Sequence, residues 1–338
     1  MVTEKDILFF AEKSKQILEE ISKDMVGQQD VVEEAVMAMI AGGNVLLEGV
    51  PGVGKTRLVR SMGRVFSLPF SRIQFTPDLM PADVTGTNII EKDENGQNVL
   101  KFQKGPIFSS IVLADEINRA TPKTQSALLE AMQEHTVTVG GKTIDLEDPF
   151  FVLATQNPIE QDGTYPLPEA QMDRFMFKLV VGFPNMEELA SIVNMTQKTM
   201  EEQANAVLTG EELLAMRETA KQIPVIDEVF EYAMKLVTAT HPEVEGASEF
   251  TKQYIRFGAS PRAGQALITA GKVRALMAGR FNVSYEDIDA LAYPVLRHRV
   301  KPSFNAITEK MTTDELIAQL LLELKGKKKN KHGVLSEA

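Results

Sequence analysis

The amino-acid sequence predicts an α/β fold, in which a parallel five-stranded sheet with crossover helices is followed by an all-helical domain. The first two thirds of the chain alternate short β-rich apolar runs with helical patterns, as expected for such a sheet. After Phe183 the apolar spacing becomes helical and prolines punctuate it. We therefore expect a sheet domain at residues 1–183, a helical domain at 184–325 and a basic, disordered tail at 326–338.

The predicted strands are short apolar runs, and two of them are continuous enough to be covered on both faces. They are Asn44–Glu48, Ser71–Phe75, Ser110–Ala114, Phe150–Thr155 and Phe175–Val181. Helical spacing of apolar residues predicts helices at Gln28–Ala41, Lys55–Phe66 and Lys123–Gln133. Two hairpins are also predicted, at Thr85–Gly105 and Thr136–Asp145, because each contains a turn sequence between alternating segments.

The composition excludes several classes of function. Of 338 residues, 36 are Lys or Arg and 47 are Asp or Glu, so the formal net charge is −11. This balance argues against a surface that grips nucleic acid or an anionic membrane, because both need clustered positive charge. The chain has no cysteine, which excludes disulfides, thiolate metal sites and cysteine nucleophiles. The N-terminal residues are charged and no long apolar run is uninterrupted, so we expect a cytoplasmic protein without a membrane span.

A phosphate-binding loop is predicted directly after the first strand and before a helix. The segment from Gly49 to Thr56 reads GVPGVGKT and matches G-x-x-x-x-G-K-[ST]. Glycines let the backbone fold around phosphates, so that successive N–H groups and the helix N-terminus face them. Lys55 is expected to reach the β- and γ-phosphates, and the Thr56 hydroxyl to bind Mg²⁺. The predicted binding residues here are Gly49, Pro51, Gly52, Val53, Gly54, Lys55, Thr56 and Arg57.

An apolar strand that ends in two carboxylates provides the second part of the predicted site. Asp115 follows the run IVLA and is expected to hold Mg²⁺, directly or through water. Glu116 is suited to orient and deprotonate the attacking water. The alternative is an acidic helix N-cap, since Asp and Glu favour that position. A Lys or Arg at position 116 would have argued for a switch protein that does not hydrolyse nucleotide. The presence of Glu116 instead favours a hydrolysing enzyme.

A polar strand tip and three arginines are further candidates. Asn157 follows the fourth strand, where it can hydrogen-bond the γ-phosphate or the attacking water, or form an ordinary Asn-Pro turn. Arg119, Arg174 and Arg262 are each either surface residues or catalytic ones, and spacing does not choose among them.

Taken in order, these motifs resemble the bacterial MoxR-type ATPases of the AAA+ superfamily. The matching segments are GVPGVGKT, LADEINRA, KTQSALLEAMQEHTVTVGG, ATQNP, LPEAQMDRFMFK and GASPRA, and the likeness runs from Met25 to Arg299. The resemblance implies an αβα core with a P-loop, a helical lid, and a ring, usually hexameric, with ATP and Mg²⁺ between subunits.

Residue roles follow from the same resemblance. Asn157 matches sensor 1, Arg262 matches the lid's sensor 2, and Arg174 matches the arginine finger that is offered to the neighbouring subunit. Val26 and Gly27 match the segment that lies against adenine. The two hairpins match insertions that face the pore or the partner in related rings.

The resemblance further implies an ATPase chaperone that remodels or activates a partner protein carrying a von Willebrand factor A domain. Two alternatives stay open from the sequence. One is a motor or loader that acts on nucleic acid, against which the net charge counts. The other is an ATPase subunit of a metal chelatase.

Overall fold

The computed structural model describes residues 2–49, 52, 54–92, 96–157, 164–197 and 203–332. The chain divides into two compact units, one formed by Glu12–Glu218 and the other by Met1–Ala11 with Thr219–Ala338. The two units meet in the chain at Glu218, whereas the sequence predicts a domain boundary at 183/184. The predicted domain ranges stay predictions.

The strands in chain order are β1 Val45–Gly49, β2 Phe70–Gln74, β3 Gly86–Lys92, β4 Asn98–Lys104, β5 Ile111–Asp115, β6 Thr136–Val139, β7 Lys142–Asp145, β8 Phe151–Gln156, β9 Phe177–Val181, β10 Ile255–Phe257 and β11 Lys301–Pro302. The helices are α1 Glu4–Asp24, α2 Gln29–Ala41, α3 Lys55–Val65, α4 Pro81–Thr85, α5 Pro122–Glu134, α6 Glu169–Met172, α7 Met186–Gln197, α8 Gly210–Lys221, α9 Asp227–Ala239, α10 Glu249–Tyr254, α11 Pro261–Met277, α12 Tyr285–Leu296, α13 Phe304–Thr308 and α14 Thr313–His332.

The Glu12–Glu218 unit is built on a parallel five-stranded sheet in the order β2-β5-β8-β1-β9. The central strands β5 and β8 are buried on both faces, as their continuous apolar sequences predict. This confirms the predicted fold class, and each predicted sheet strand is present with its ends shifted by at most two residues. The predicted helices are confirmed as α2, α3 and α5. Because the strands are parallel, the carboxyl ends of β1, β5 and β8 lie along the same edge of the sheet.

Both predicted hairpins are present. β3 pairs with β4 from Gly86 opposite Lys104 to Lys92 opposite Asn98, and β6 pairs with β7. In the shorter hairpin Gly140 and Gly141 have φ angles of 57° and 77°, the left-handed backbone that a tight two-residue turn requires. Residues 93–95 of the longer hairpin's turn lie outside the described residues.

Hydrogen bonds explain why the residues between 203 and 218 belong to the same unit as the sheet. The N–H groups of Val207 and Leu208 donate to the Val65 carbonyl at the end of α3, at 2.8 and 3.1 Å. Arg217 donates to the carbonyls of Met39 and Ile40 at the end of α2, at 3.1 and 3.3 Å. These are long-range contacts, which a helical pattern in the sequence does not reveal.

The second unit is helical and has its own core, which includes Leu236, Leu267, Val273 and Ile288. This unit was predicted to be all-helical, but it also contains a short antiparallel strand pair, β10 with β11. The last helix, α14, continues to His332 and so enters the range 326–338 that was predicted to be disordered, in keeping with the helix propensity of lysine. Residues 333–338 lie outside the described residues. Among the helices described, none is long and apolar enough to cross a membrane.

Candidate functional site

The predicted phosphate loop has the expected strand–loop–helix context. Gly49 ends β1, and Lys55 begins α3 directly after Gly54. Gly52 and Gly54 have φ angles of 87° and 85°, a left-handed backbone that other residues rarely adopt.

Two of the predicted binding residues, Pro51 and Val53, lie outside the described residues, as does Val50 of the same loop. Thr56 and Arg57 follow Lys55 in the first turn of α3. Phosphate binding by these residues stays a prediction.

Lys55 connects the loop to the acidic end of β5. Its Nζ donates to the Gly49 carbonyl oxygen at 2.8 Å, so the side chain spans the loop. Burial lowers the pKa of Lys55, while the nearby carboxylates of Asp115 and Glu116 raise it, and the net shift is downward. The lysine of the first predicted motif therefore lies close enough to the carboxylates of the second to interact with their charges.

Asp115 is held through both of its carboxylate oxygens. Oδ1 accepts from the Thr155 hydroxyl at 2.6 Å, and Oδ2 accepts from Arg72 Nη2 at 2.7 Å and Nε at 3.2 Å. Its side chain is only 13% exposed. Protein donors therefore replace most of the water that an aspartate at a strand end usually has.

Glu116 faces different partners because its backbone turns after the strand. It adopts a left-handed conformation, with φ 56° and ψ 49°. Its Oε2 accepts from Arg119 Nη1 at 3.0 Å and from Gln74 Nε2 at 3.2 Å, and its N–H donates to the Thr155 hydroxyl at 2.8 Å. The side chain does not cap the short 3-10 turn that follows, so this geometry does not support the helix-cap alternative.

Arg72, Gln74 and Thr155 were missed by sequence reasoning. Arg72 and Gln74 alternate on β2, and β2 lies beside β5 with Gln74 opposite Asp115. Thr155 belongs to β8, on the other side of β5. For Arg72 and Gln74 the sequence signal is the alternation of polar and apolar residues in the run SRIQF. That alternation does not show which carboxylates the two side chains contact, because the contacts depend on the order of the strands in the sheet.

The predicted sensor and finger residues lie in three places. Asn157 follows the end of β8, at the sheet edge that also carries Asp115. Arg174 precedes β9, and its Nη1 donates to the Leu129 carbonyl of α5 at 2.8 Å. Arg262 is exposed in the first turn of α11, where its N–H donates to the Ser260 hydroxyl at 3.2 Å. Their predicted roles toward nucleotide stay predictions.

The segment predicted to lie against adenine comes between α1 and α2. Gly27 has φ 72°, and a Cβ there would lie 2.5 Å from Oε1 of Glu188. Glu188 is fixed by reciprocal bonds with Asn185, each 2.9 Å. A side chain at position 27 would be strained by this φ and would displace the Glu188 carboxylate.

The donor chemistry fits Mg²⁺. The Asp115 carboxylate and the Thr56 hydroxyl are oxygen donors, which Mg²⁺ prefers, and it commonly takes one or two protein ligands together with substrate phosphates. Among the described residues there is no group of three or more His, Cys, Asp or Glu side chains that would form an all-protein metal site. The site thus suits a metal that arrives with a phosphate ligand.

Comparisons with known proteins agree with this geometry. Residues 44–177 match the family model described as "ATPase family associated with various cellular activities (AAA)", and residues 247–320 match the AAA lid domain. The chain is 43% identical to Chaperone MoxR1 of Mycobacterium tuberculosis over 303 residues, covering 89% of this chain and 79% of that protein. It is 28% identical to Protein MoxR of Paracoccus denitrificans, covering 82% and 85%.

A solved structure gives the same result. The crystal structure of a candidate ATPase from Cytophaga hutchinsonii superposes with a TM-score of 0.87 at 39% sequence identity, covering 94% of this chain and 96% of that one. With the matched AAA and lid models and the MoxR relatives, the chain belongs to the MoxR family of AAA+ ATPases.

Proposed function

We propose that this protein is an ATP-hydrolysing chaperone that works as a ring, usually hexameric, and remodels or activates a partner protein with a von Willebrand factor A domain. The observation that carries the ATPase part is the strand–loop–helix geometry that holds Lys55 on the Gly49 carbonyl, close to the carboxylates of Asp115 and Glu116. The name of the relative Chaperone MoxR1 supports the chaperone part. A cytoplasmic location stays a prediction.

The residues divide the work of hydrolysis. The loop amides and the Lys55 ammonium bind the β- and γ-phosphates, and Thr56 and Asp115 hold Mg²⁺. When bound, the metal neutralises charge on the transferred phosphoryl group. Glu116 accepts a proton from the attacking water, and Asn157 orients that water or the γ-phosphate. Asp115 and Glu116 suit these separate roles because their carboxylates have different partners.

Hydrolysis depends on assembly in this proposal. The described hydrogen bond of Arg174 to Leu129 uses one of the five guanidinium donors, so others remain for a neighbour's γ-phosphate. Arg262 acts from the lid of the same subunit. Loss of the γ-phosphate then releases both arginine contacts, which links turnover to a conformational change.

The β3–β4 hairpin is the proposed contact with the protein partner. Ile90 and Leu100 lie opposite each other on it and are 71% and 75% exposed. Exposed apolar pairs of this kind are typical of protein contacts. The hairpin cannot bury a core of its own, which leaves these side chains available.

The first test uses nucleotide binding. Lys55→Ala removes the ammonium that binds the phosphates, and we expect binding of a fluorescent ADP analogue to be lost. Lys235→Ala is the control, because Lys235 also forms a 2.7 Å ion pair but lies on α9. Wild-type affinity in Lys55→Ala would contradict the loop assignment.

The second test addresses assembly. Mixtures of Arg174→Ala and Glu116→Gln subunits should regain ATPase activity, since an intact composite site can form where the two variants meet. Neither variant alone should be active. If no mixture exceeds its parents, Arg174 does not act on a neighbour.

The third test separates the protein partner from the nucleic-acid alternative. A von Willebrand factor A protein should raise the ATPase rate of the wild-type ring, and single- or double-stranded DNA should leave it unchanged. Stimulation by DNA alone would overturn the chaperone assignment and favour a nucleic-acid motor.

A further inference from the structure

Arg72 forms a two-point contact with the carboxylate that is predicted to hold Mg²⁺. Its Nη2 and Nε lie 2.7 and 3.2 Å from Asp115 Oδ2, while Thr155 occupies Oδ1 at 2.6 Å. Charge-assisted bonds of this length are the strong class of hydrogen bond. The oxygen Oδ2 is therefore committed to a protein cation.

The position of Arg72 allows it to leave this contact without disturbing the core. Its side chain is 46% exposed, whereas that of Asp115 is 13% exposed. Arg72 lies opposite Leu113 in the β2–β5 register, and its side chain reaches along the strand to Asp115. Because nearly half of the Arg72 side chain already faces water, the guanidinium can move away from Asp115 towards solvent.

We propose that Arg72 competes with Mg²⁺ for Asp115, so that binding of the metal with its nucleotide requires Arg72 to leave the ion pair. This rests on the proposed function, because it presupposes a Mg²⁺–nucleotide complex at Asp115. A guanidinium and a divalent cation repel each other on one largely buried carboxylate. Thr155 keeps Oδ1 during the exchange, so Asp115 remains satisfied throughout.

The exchange also reaches the proposed catalytic base. Arg72 Nη2 donates to Gln74 Oε1 at 2.6 Å, and Gln74 Nε2 donates to Glu116 Oε2 at 3.2 Å. Arg72 therefore helps to fix the amide that binds Glu116. Arg72 is a positioning residue in this scheme, since it acts through Asp115 and Gln74.

The test measures metal affinity instead of turnover. Full-length wild type, Arg72→Gln and Lys235→Ala are each saturated with a fluorescent ADP analogue, and Mg²⁺ is titrated until the signal is constant. In Arg72→Gln the half-saturating Mg²⁺ concentration should fall about threefold to tenfold, the size expected for a partly exposed ion pair. Lys235→Ala removes a 2.7 Å ion pair elsewhere, as Arg72→Gln does here, and should match wild type.

Each outcome decides the proposal. An unchanged or raised half-saturating concentration in Arg72→Gln overturns the competition. If that variant does not fold, Arg72→Met keeps an unbranched apolar stem without the charge and must show the same fall. Failure of wild type to bind the analogue, with or without Mg²⁺, is a different result, because it overturns the proposed function itself.

Discussion

Two aspartates that are each paired with arginine differ in burial and in the number of their partners. In the lid unit Asp287 is fully buried and accepts from Arg274 at 2.6 Å, from Arg280 at 2.6 and 2.7 Å, and from the Ser284 N–H at 2.8 Å. It belongs to the first turn of α12, where its bond with Ser284 forms a capping box. Each of its two carboxylate oxygens therefore accepts two hydrogen bonds from the surrounding protein.

In the sheet unit Asp115 has one arginine, and that arginine is half exposed. Lys55 lies close enough to Asp115 to feel its charge, and burial lowers the pKa of Lys55. Removing one partner of a fully buried ion pair leaves an uncompensated charge, whereas a half-exposed arginine can turn to water when its partner is lost. We therefore expect the Asp287 cluster to matter more for stability and the Asp115 pair more for the proposed ligand.

The largest expected effect is on the functional side of this comparison. Glu116→Gln removes the proton acceptor, and we expect steady-state ATP turnover to fall about 10²- to 10⁴-fold. The free energy of unfolding in urea should change by less than about 1 kcal/mol, because the lost ion pair with Arg119 is partly exposed. An unimpaired turnover rate would remove Glu116 from the mechanism.

The next effect is on the structural side. Asp287→Asn leaves two arginines beside a neutral buried group, and the free energy of unfolding should fall by about 3–5 kcal/mol. Asp115→Asn is the matched substitution and should cost about 1–2 kcal/mol, because the arginine that it leaves behind is half exposed and can turn to water. Urea unfolding followed by circular dichroism measures both. Equal losses in the two variants would break the distinction between the sites.

The pH dependence of stability sharpens the same contrast. Burial raises the pKa of Asp287, but hydrogen bonds from Arg280, Ser284 and Arg274 outweigh it, so the pKa lies below its ordinary value of 3.8. A lowered pKa adds stability above the unfolded value, and this is lost as pH falls through the folded value. The gap between wild type and Asp287→Asn should thus be full at about pH 6 and shrink below about pH 3.8. A gap that widens on acidification would contradict the sign.

The smallest effects concern the arginines. Arg280→Gln removes one of the two arginine partners of Asp287 and should cost about 1–3 kcal/mol of unfolding free energy. Arg72→Gln should cost about 1 kcal/mol, since Arg72 itself is half exposed although its partner Asp115 is largely buried. Thermal or urea unfolding of the two variants provides the comparison. A larger loss for Arg72→Gln would make that pair structural.

Much of the site was predictable because its residues are contiguous. The run from Gly49 to Thr56 and the pair Asp115–Glu116 carry their meaning in local order: strand, glycine-rich loop, helix, and strand, carboxylate. Helix α1 was missed although Ile7, Phe10, Ile17 and Ile21 are buried at helical spacing. Apolar residues at this spacing are the pattern that predicts an amphipathic helix.

The amino-acid sequence by itself determined the α/β class, the phosphate loop, the carboxylate pair and the two hairpins, since each depends on periodicity or spacing within a few residues. Only the tertiary structure decided that Arg72 and Gln74 meet Asp115 and Glu116. That meeting depends on β2 lying beside β5, and strand order is set by packing across the whole sheet. The partners of a carboxylate, and hence whether it serves the fold or a ligand, are a property of this packing.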